Sequence, residues 1–211
     1  MVCGYRGTGK DTLCEQFNSI KPFNWKVLGK RDIQHALRIQ PAKRIAYADV
    51  LKKTVHKMLG INEDINTEPL KEMLLLQIEK IIGYELSKQY DKNKSLRDYY
   101  IQYAKEKRQE DENYWCSRIE LKELKGTIMV TDWRYKNEYE YVRTHWIYNT
   151  MTTIRVFRKD VSIPQHESEH ELDGVQTDYV LIPEKEYEKE YNKLIEIFPQ
   201  YSEYVEKGLI V

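Results

Sequence analysis

Gly4 and Gly9 bracket four residues and are followed at once by Lys10, in the run Gly4-Tyr5-Arg6-Gly7-Thr8-Gly9-Lys10-Asp11-Thr12. Glycines at this spacing let the backbone curl so that successive N–H groups point inward, and a helix starting at the lysine adds the positive end of its dipole. Such a loop cradles the phosphates of a nucleoside triphosphate, with the lysine reaching the outer ones. It also constrains the fold, because it must join the carboxyl end of a strand to a helix N-terminus, the geometry of an open α/β sheet. Gly7, Thr8, Gly9, Lys10, Asp11 and Thr12 are therefore the expected cofactor-binding set, with ATP and Mg2+ as cofactors. Asp11 departs from the pattern, which has a Ser or Thr hydroxyl on magnesium at that place. Asp11 is expected to hold the metal through a water, and Thr12 to reach an inner phosphate. The alternative is a Gly-rich turn that binds nothing.

A chain of 211 residues suits one α/β domain with a helical insert. Its 34 basic and 34 acidic residues cancel, so no global field draws it to nucleic acid or an anionic membrane, and phosphate recognition must be local. Cys3, Cys14 and Cys116 have unrelated spacings and form no metal or disulfide framework, which fits a reducing cytoplasm. No apolar run is long enough to span a bilayer, and the N-terminus lacks the basic and apolar regions of a signal peptide. The expected protein is cytoplasmic, with no membrane or nucleic-acid partner.

Along the chain, strand and helix patterns alternate. Met1-Val2-Cys3 reads as the end of a first strand, completed by its neighbours or begun upstream, and a helix is expected over 9–20. Residues 21–40 give mixed signals. A strand over 44–48 leads to a helix N-capped by Asp49 and ended by Gly60. Residues 67–124 are helical in period, with Leu70, Met73, Leu74, Gln77, Ile78 and Ile81 on one face and Leu96, Tyr99, Tyr100 and Tyr103 on another. Within this block, Ser95 and Asp98 match a capping box. Strands over 126–132, 152–157 and 179–182 and helices over 136–145 and 184–198 complete the pattern. The fold class is α/β, with a doubly wound, mostly parallel sheet flanked by helices. A single domain over 1–211 would carry a helical substrate-binding insert at about 61–124 and a lid-like loop at about 158–174.

Phosphoryl transfer needs positioning, a metal and positive charge more than a nucleophilic side chain. Asp132, at the carboxyl end of an apolar strand, is a candidate to orient magnesium or the acceptor; its alternative is an N-cap for the next helix. Arg134 would act over the same crevice as a phosphate fork, or pair with Glu138 on the surface. Arg158, entering the charged loop, is a candidate for a cation delivered by closure, or it holds the ATP base or pairs with Glu167. The catalytic candidates are thus Lys10, Asp132, Arg134 and Arg158, with Asp11 and Asp132 toward the metal. Arg97, in the first turn of a helix, opposes the helix dipole unless a phosphate meets it. Trp115 has a ring able to stack on a base, or to pack in a core.

Taken in order, the loop at 4–12 with its Lys-Asp-Thr ending, Tyr47-Ala48-Asp49-Val50-Leu51-Lys52, Leu96-Arg97-Asp98 with Arg108 and Trp115, Thr131-Asp132-Trp133-Arg134-Tyr135-Lys136-Asn137-Glu138, and His166-Glu167-Ser168-Glu169 resemble the bacteriophage-type deoxynucleoside monophosphate kinases. Tyr47 and Val50 stand where phenylalanine and proline are common in that family. The resemblance implies a P-loop kinase fold and ATP-dependent phosphorylation of deoxynucleoside 5′-monophosphates. Magnesium, often a homodimer, and the host cytoplasm for a viral protein also follow from it. It places Lys10 and the loop glycines on ATP, Asp49, Lys52, Arg97, Arg108 and Trp115 in the monophosphate pocket, and Asp132 and Arg134 at the reaction centre.

Three other readings stand beside it. A phosphomevalonate kinase-like enzyme also carries Lys-Asp in its loop and needs no stacking ring. A guanine-nucleotide switch reads its base with Asn-Lys-x-Asp, which neither Asn93-Lys94 nor Asn192-Lys193 completes. His166-Glu167-Ser168-Glu169-His170 matches the His-Glu-x-x-His pattern of zinc hydrolases, but residues 165–171 offer no apolar face to support a metal helix.

Overall fold

Two residues, Val2–Cys3, make the first strand (β1), and neighbours hold them from both sides. Val2 lies opposite Ile154 of a parallel strand, and the Trp133 amide donates to the Val2 carbonyl at 3.3 Å from the other side. The computed structural model describes residues 1–5, 8–18, 25–29, 42–119, 126–145, 151–163, 169–184 and 187–206. In chain order these form β1, α1 (Lys10–Phe17), β2 (Trp25–Gly29), β3 (Lys43–Ile45), α2 (Tyr47–Leu59), a 3-10 turn (Glu68–Leu70), α3 (Leu75–Ile82) and α4 (Leu96–Glu110). There follow α5 (Tyr114–Ser117), β4 (Ile128–Val130), α6 (Lys136–His145), β5 (Ile154–Val156), β6 (Tyr179–Pro183), α7 (Tyr187–Ile197), a second 3-10 turn (Pro199–Tyr201) and α8 (Ser202–Glu206). The chain divides into two units, Met1–Ala46 with Leu121–Val211, and Tyr47–Glu120.

In the first unit, the strand order is β1-β5-β6-β2, with a second pair β3-β4. β1-β5, β5-β6 and β3-β4 are parallel, and β2-β6 is antiparallel. The Trp133–Val2 hydrogen bond brings the segment just past β4 alongside β1, opposite β5. The result is an α/β fold with a mixed, mostly parallel sheet flanked by helices. Alternation along β6 explains the layering: Tyr179 and Leu181 join the core with Leu13 and Cys14 of α1, while Val180 and Ile182 join Leu194 of α7 and Phe198, Tyr201 and Tyr204. A strand covered on both faces reads as a continuous apolar run, and the segment 179–182 does.

The second unit packs α2, α3 and α4 around Val55, Leu59, Leu75, Ile78, Leu96 and Tyr100. Ser95 accepts the Asp98 amide at 3.1 Å and Asp98 accepts the Ser95 amide at 3.0 Å, the expected capping box. Gly60 has φ +79°, a left-handed stop that suits glycine.

Several local expectations need correction. β2 falls in the stretch with mixed signals; it is an edge strand in which Trp25 and Val27 alternate with Lys26, and only antiparallel pairing with β6 fixes it. α2 begins at Tyr47, so Asp49 lies in its first turn and not at its N-cap, still favourable to the dipole. The apolar face given to α3 is displaced: Met73 and Leu74 precede the helix, Leu75 and Ile78 are its buried pair, and Ile81 is exposed. Leu74 is held outside the helix by a bridge to Ser95.

Candidate functional site

The loop after β1 is shaped by two glycines. Gly4 has φ +137°, and a Cβ there would lie 2.3 Å from the Val156 carbonyl oxygen, so the backbone passes β5 too closely for any side chain. Gly9, at φ +94°, is the N-cap of α1 and contributes no side-chain cap. The first N–H groups of a helix lack intrahelical partners, which makes this the anion-seeking end of α1. The Lys10 ammonium turns back into the loop, donating to the carbonyls of Gly4 at 2.6 Å and Tyr5 at 2.9 Å. The Thr8 hydroxyl also donates to the Tyr5 carbonyl, at 3.0 Å. Burial pushes the Lys10 pKa down; Glu169 is the strongest neighbour opposing that, and Arg134 reinforces it. Gly7 lies outside the described residues, and Thr12 is exposed in the first turn of α1.

Asp11 accepts a hydrogen bond from Arg44 Nε of β3 at 2.6 Å and another from the Thr131 hydroxyl at 2.8 Å. Burial alone would raise its pKa; these two hydrogen bonds and the Arg44 charge outweigh that and hold it low. Thr131 and Asp132 leave the carboxyl end of β4, next to β1, with Asp132 half-buried. Helix α6 starts at Lys136, too far along for Asp132 to cap it. Glu138, 1 % exposed, accepts the amides of Arg134 and Tyr135 at 2.8 and 3.2 Å and does that work. With the backbone so held, the Arg134 guanidinium pairs with Glu169 at 2.6 Å. Arg158, just past β5, forms a forked contact with Asp160 at 2.9 and 3.3 Å. Its alternative partner, Glu167, lies outside the described residues, as does His166.

Tyr5 ties the loop to the segment that follows. Its hydroxyl donates to Asp173 Oδ2 at 3.0 Å, the same carboxylate that meets His170 Nδ1 at 2.7 Å. Beneath this turn, Arg155 of β5 is 2 % exposed and donates to the Leu172 carbonyl and, at 2.9 Å, to the Tyr201 hydroxyl. Its guanidinium stacks on Phe198, with 4.4 Å to the ring centroid. The 3-10 turn at Pro199–Tyr201 is thus docked, with Tyr201 fully buried and the Gln200 amide donating to the Asp173 carbonyl at 2.6 Å.

In the second unit, the expected phosphate-pocket residues meet a carboxylate segment. Lys52 of α2 pairs with Glu68, which Lys71 also reaches at 2.8 Å, and Arg97 of α4 pairs with Glu72 at 2.6 Å. Hydrogen bonds from Lys52 and then Lys71 pull the Glu68 pKa down to about 2. Asp49 occupies the first turn of α2; Arg108 stands in the last turn of α4, at the far end from Arg97. Trp115 is 2 % exposed, its N–H directed at the Ala104 carbonyl at 3.4 Å and its ring edge-on to Tyr103 and Tyr114. His56 Nε2 lies 2.6 Å from the Tyr100 hydroxyl and 3.2 Å from that of Thr67. Burial, then Lys52, lowers its pKa.

Lys10 and Asp11 follow the carboxyl end of β1 and Asp132 and Arg134 that of β4, the two segments being joined by the Thr131–Asp11 and Trp133–Val2 hydrogen bonds, while Lys52 and Arg97 converge on residues 68–72. Sequence reasoning assigned no site role to Arg44, Glu169, Asp173, Glu68, Lys71 or Glu72; all but Lys71, which meets Glu68 three residues away, have a partner distant in the chain. Among the described residues no group of three or more His, Cys, Asp or Glu is disposed to hold a metal. An ion held mainly by substrate phosphates needs only one or two carboxylates, and the half-exposed Asp11 and half-buried Asp132 fit that lesser demand. Among the described residues no helix is long and apolar enough to cross a membrane. Neither protein-family models nor curated proteins give a match to this chain.

Proposed function

We propose that this chain is a P-loop kinase that transfers the γ-phosphoryl group of ATP to deoxynucleoside 5′-monophosphates, yielding diphosphates for DNA precursor supply. One observation carries the reading: Lys10 opens α1 directly after a glycine-shaped loop at the carboxyl end of β1, which pairs in parallel with β5. That is the crevice in which open α/β sheets take ligands. The Gly4 and Tyr5 carbonyls that now hold Lys10 would give way to the outer phosphate oxygens of ATP, which offer full negative charge. Arg134 would neutralise charge on the moving phosphoryl group, Arg158 would join it, and Lys52 and Arg97 would receive the acceptor phosphate. Magnesium, when bound by Asp11 and Asp132, would spread the charge of the ATP tail. An oxygen of the acceptor phosphate attacks the γ-phosphorus, the bond to the bridging oxygen breaks, and ADP leaves.

The test is ATP consumption with a panel of deoxy- and ribonucleoside monophosphates, in wild-type chain and Lys10→Ala. Turnover of a deoxynucleotide that Lys10→Ala abolishes supports the reading; equal activity in both chains removes Lys10 and the reading with it. A second reading, a phosphomevalonate kinase-like enzyme, is favoured by the packing of Trp115, which places that ring in the core rather than against a base. Including mevalonate 5-phosphate in the panel separates the two.

A further inference from the structure

Arg134 and Lys10 form the positive face of the phosphate loop, and a carboxylate of this same chain lies against it. Glu169 Oε1 is 2.6 Å from Arg134 Nη1, and the Glu169 side chain is only 9 % exposed where Arg134 is 41 % exposed. Glu169 is also the strongest of the neighbours favouring the Lys10 ammonium. A carboxylate on a guanidinium uses the donors that a phosphate would use, so the two cannot share them.

The placement of Glu169 follows from a braced turn. Asp173 joins His170 and the Tyr5 hydroxyl, Arg155 donates to the Leu172 carbonyl, and Gln200 donates to the Asp173 carbonyl. Residues 170–173 are therefore fixed to Tyr5 of the loop after β1 on one side and to Gln200 on the other. Glu169, one residue earlier, is delivered to Arg134 by that fixed turn.

Resting on the kinase reading, we propose that Glu169 is an internal competitor: its carboxylate occupies the Arg134–Lys10 face and must leave before a triphosphate tail settles there. The affinity of the loop for phosphate is then reduced by the fraction of time the latch is closed. The 170–173 turn sets that fraction, so whatever loosens the turn raises affinity without touching the loop.

Calorimetric titration of the full chain with inorganic tripolyphosphate and with ATP tests this in wild type, Glu169→Gln, Arg134→Ala and the double variant, with thermal melts confirming that each folds. Glu169→Gln should bind both probes about tenfold more tightly, the gain expected for a latch closed nine-tenths of the time. In the Arg134→Ala background the same change should gain nothing, because the face it blocks is gone. Equal or weaker binding by Glu169→Gln, with wild type binding normally, overturns the latch and leaves the kinase reading standing. Failure of wild type and Glu169→Gln alike to bind either probe overturns both.

Discussion

The two units hold their charges differently. In the sheet unit, the charges behind the candidate residues are tied into the fold, although the Arg158–Asp160 and Arg44–Asp11 pairs stay exposed: Glu169 is nearly enclosed on Arg134, Glu138 is buried under the Arg134 and Tyr135 amides, and Arg155 is sealed beneath Tyr201. In the helical unit, Lys52, Lys71 and Arg97 pair with Glu68 and Glu72, whose side chains are 52 and 60 % exposed. Exposed pairs are worth little to stability and exchange partners readily, whereas a buried charge stripped of its partner is costly. The sheet unit can therefore lose function and stability together, while the helical unit can give up its glutamates to an incoming anion at almost no cost.

The sharpest attempt to break this contrast is Lys10→Ala. Under the kinase reading it should cost about 3–4 kcal/mol in kcat/KM, the scale of a lost preorganised charge contact, and it should lower the melting temperature as the Gly4 and Tyr5 carbonyls lose their donor. Tyr201→Phe tests the sealed cation. Removing the hydroxyl takes one acceptor from Arg155, and urea unfolding should show a loss of about 1–3 kcal/mol; no loss would mean that the Phe198 stack and the Leu172 carbonyl suffice.

His56 sharpens the view of the helical unit, since it is half-buried and its pKa is depressed mainly by that burial. Its folded pKa is depressed, so its contribution is complete above the ordinary value of 6.5 and is lost as the pH falls below it, where the unfolded chain takes up a proton that the folded chain refuses. Stability should fall as pH is lowered from about 7.5 to 5.5, and His56→Gln should flatten that slope in urea titrations at each pH. The smallest effect belongs to Glu68→Gln. Its exposed pairs predict a stability change within about 1 kcal/mol, together with a lower KM for the acceptor as Lys52 and Lys71 are released. A large stability loss would place Glu68 among the buried charges and erase the contrast.

Much of the frame was legible in the chain itself. The glycine-lysine loop, the apolar run at 179–182, the Ser95–Asp98 box and the helix over 136–145 each carry a local physical signature. β2 did not, because an edge strand bearing Lys26 derives its conformation from β6. The α3 face was misplaced because a bridge between Leu74 and Ser95, not helical periodicity, sets where that helix starts. Lys10, Asp11, Asp132 and Arg134 were readable as candidates from motif spacing, and their nucleotide role remains the proposal to be tested. The counter-ions were not readable. Arg44 meets Asp11, Glu169 meets Arg134 and Asp173 meets Tyr5 across long stretches of chain, and no periodicity encodes such encounters.

The tie between Tyr5 and Asp173 has a practical corollary. Asp173 is gripped in turn by Gln200, and Arg155 by Tyr201, so the loop after β1 is braced by the 3-10 turn at Pro199–Tyr201. A proteolytic cut placed shortly after Phe198 will therefore register at Tyr5, nearly two hundred residues away in the sequence, and a chain cut there makes a poor surrogate for the intact protein in any ligand assay.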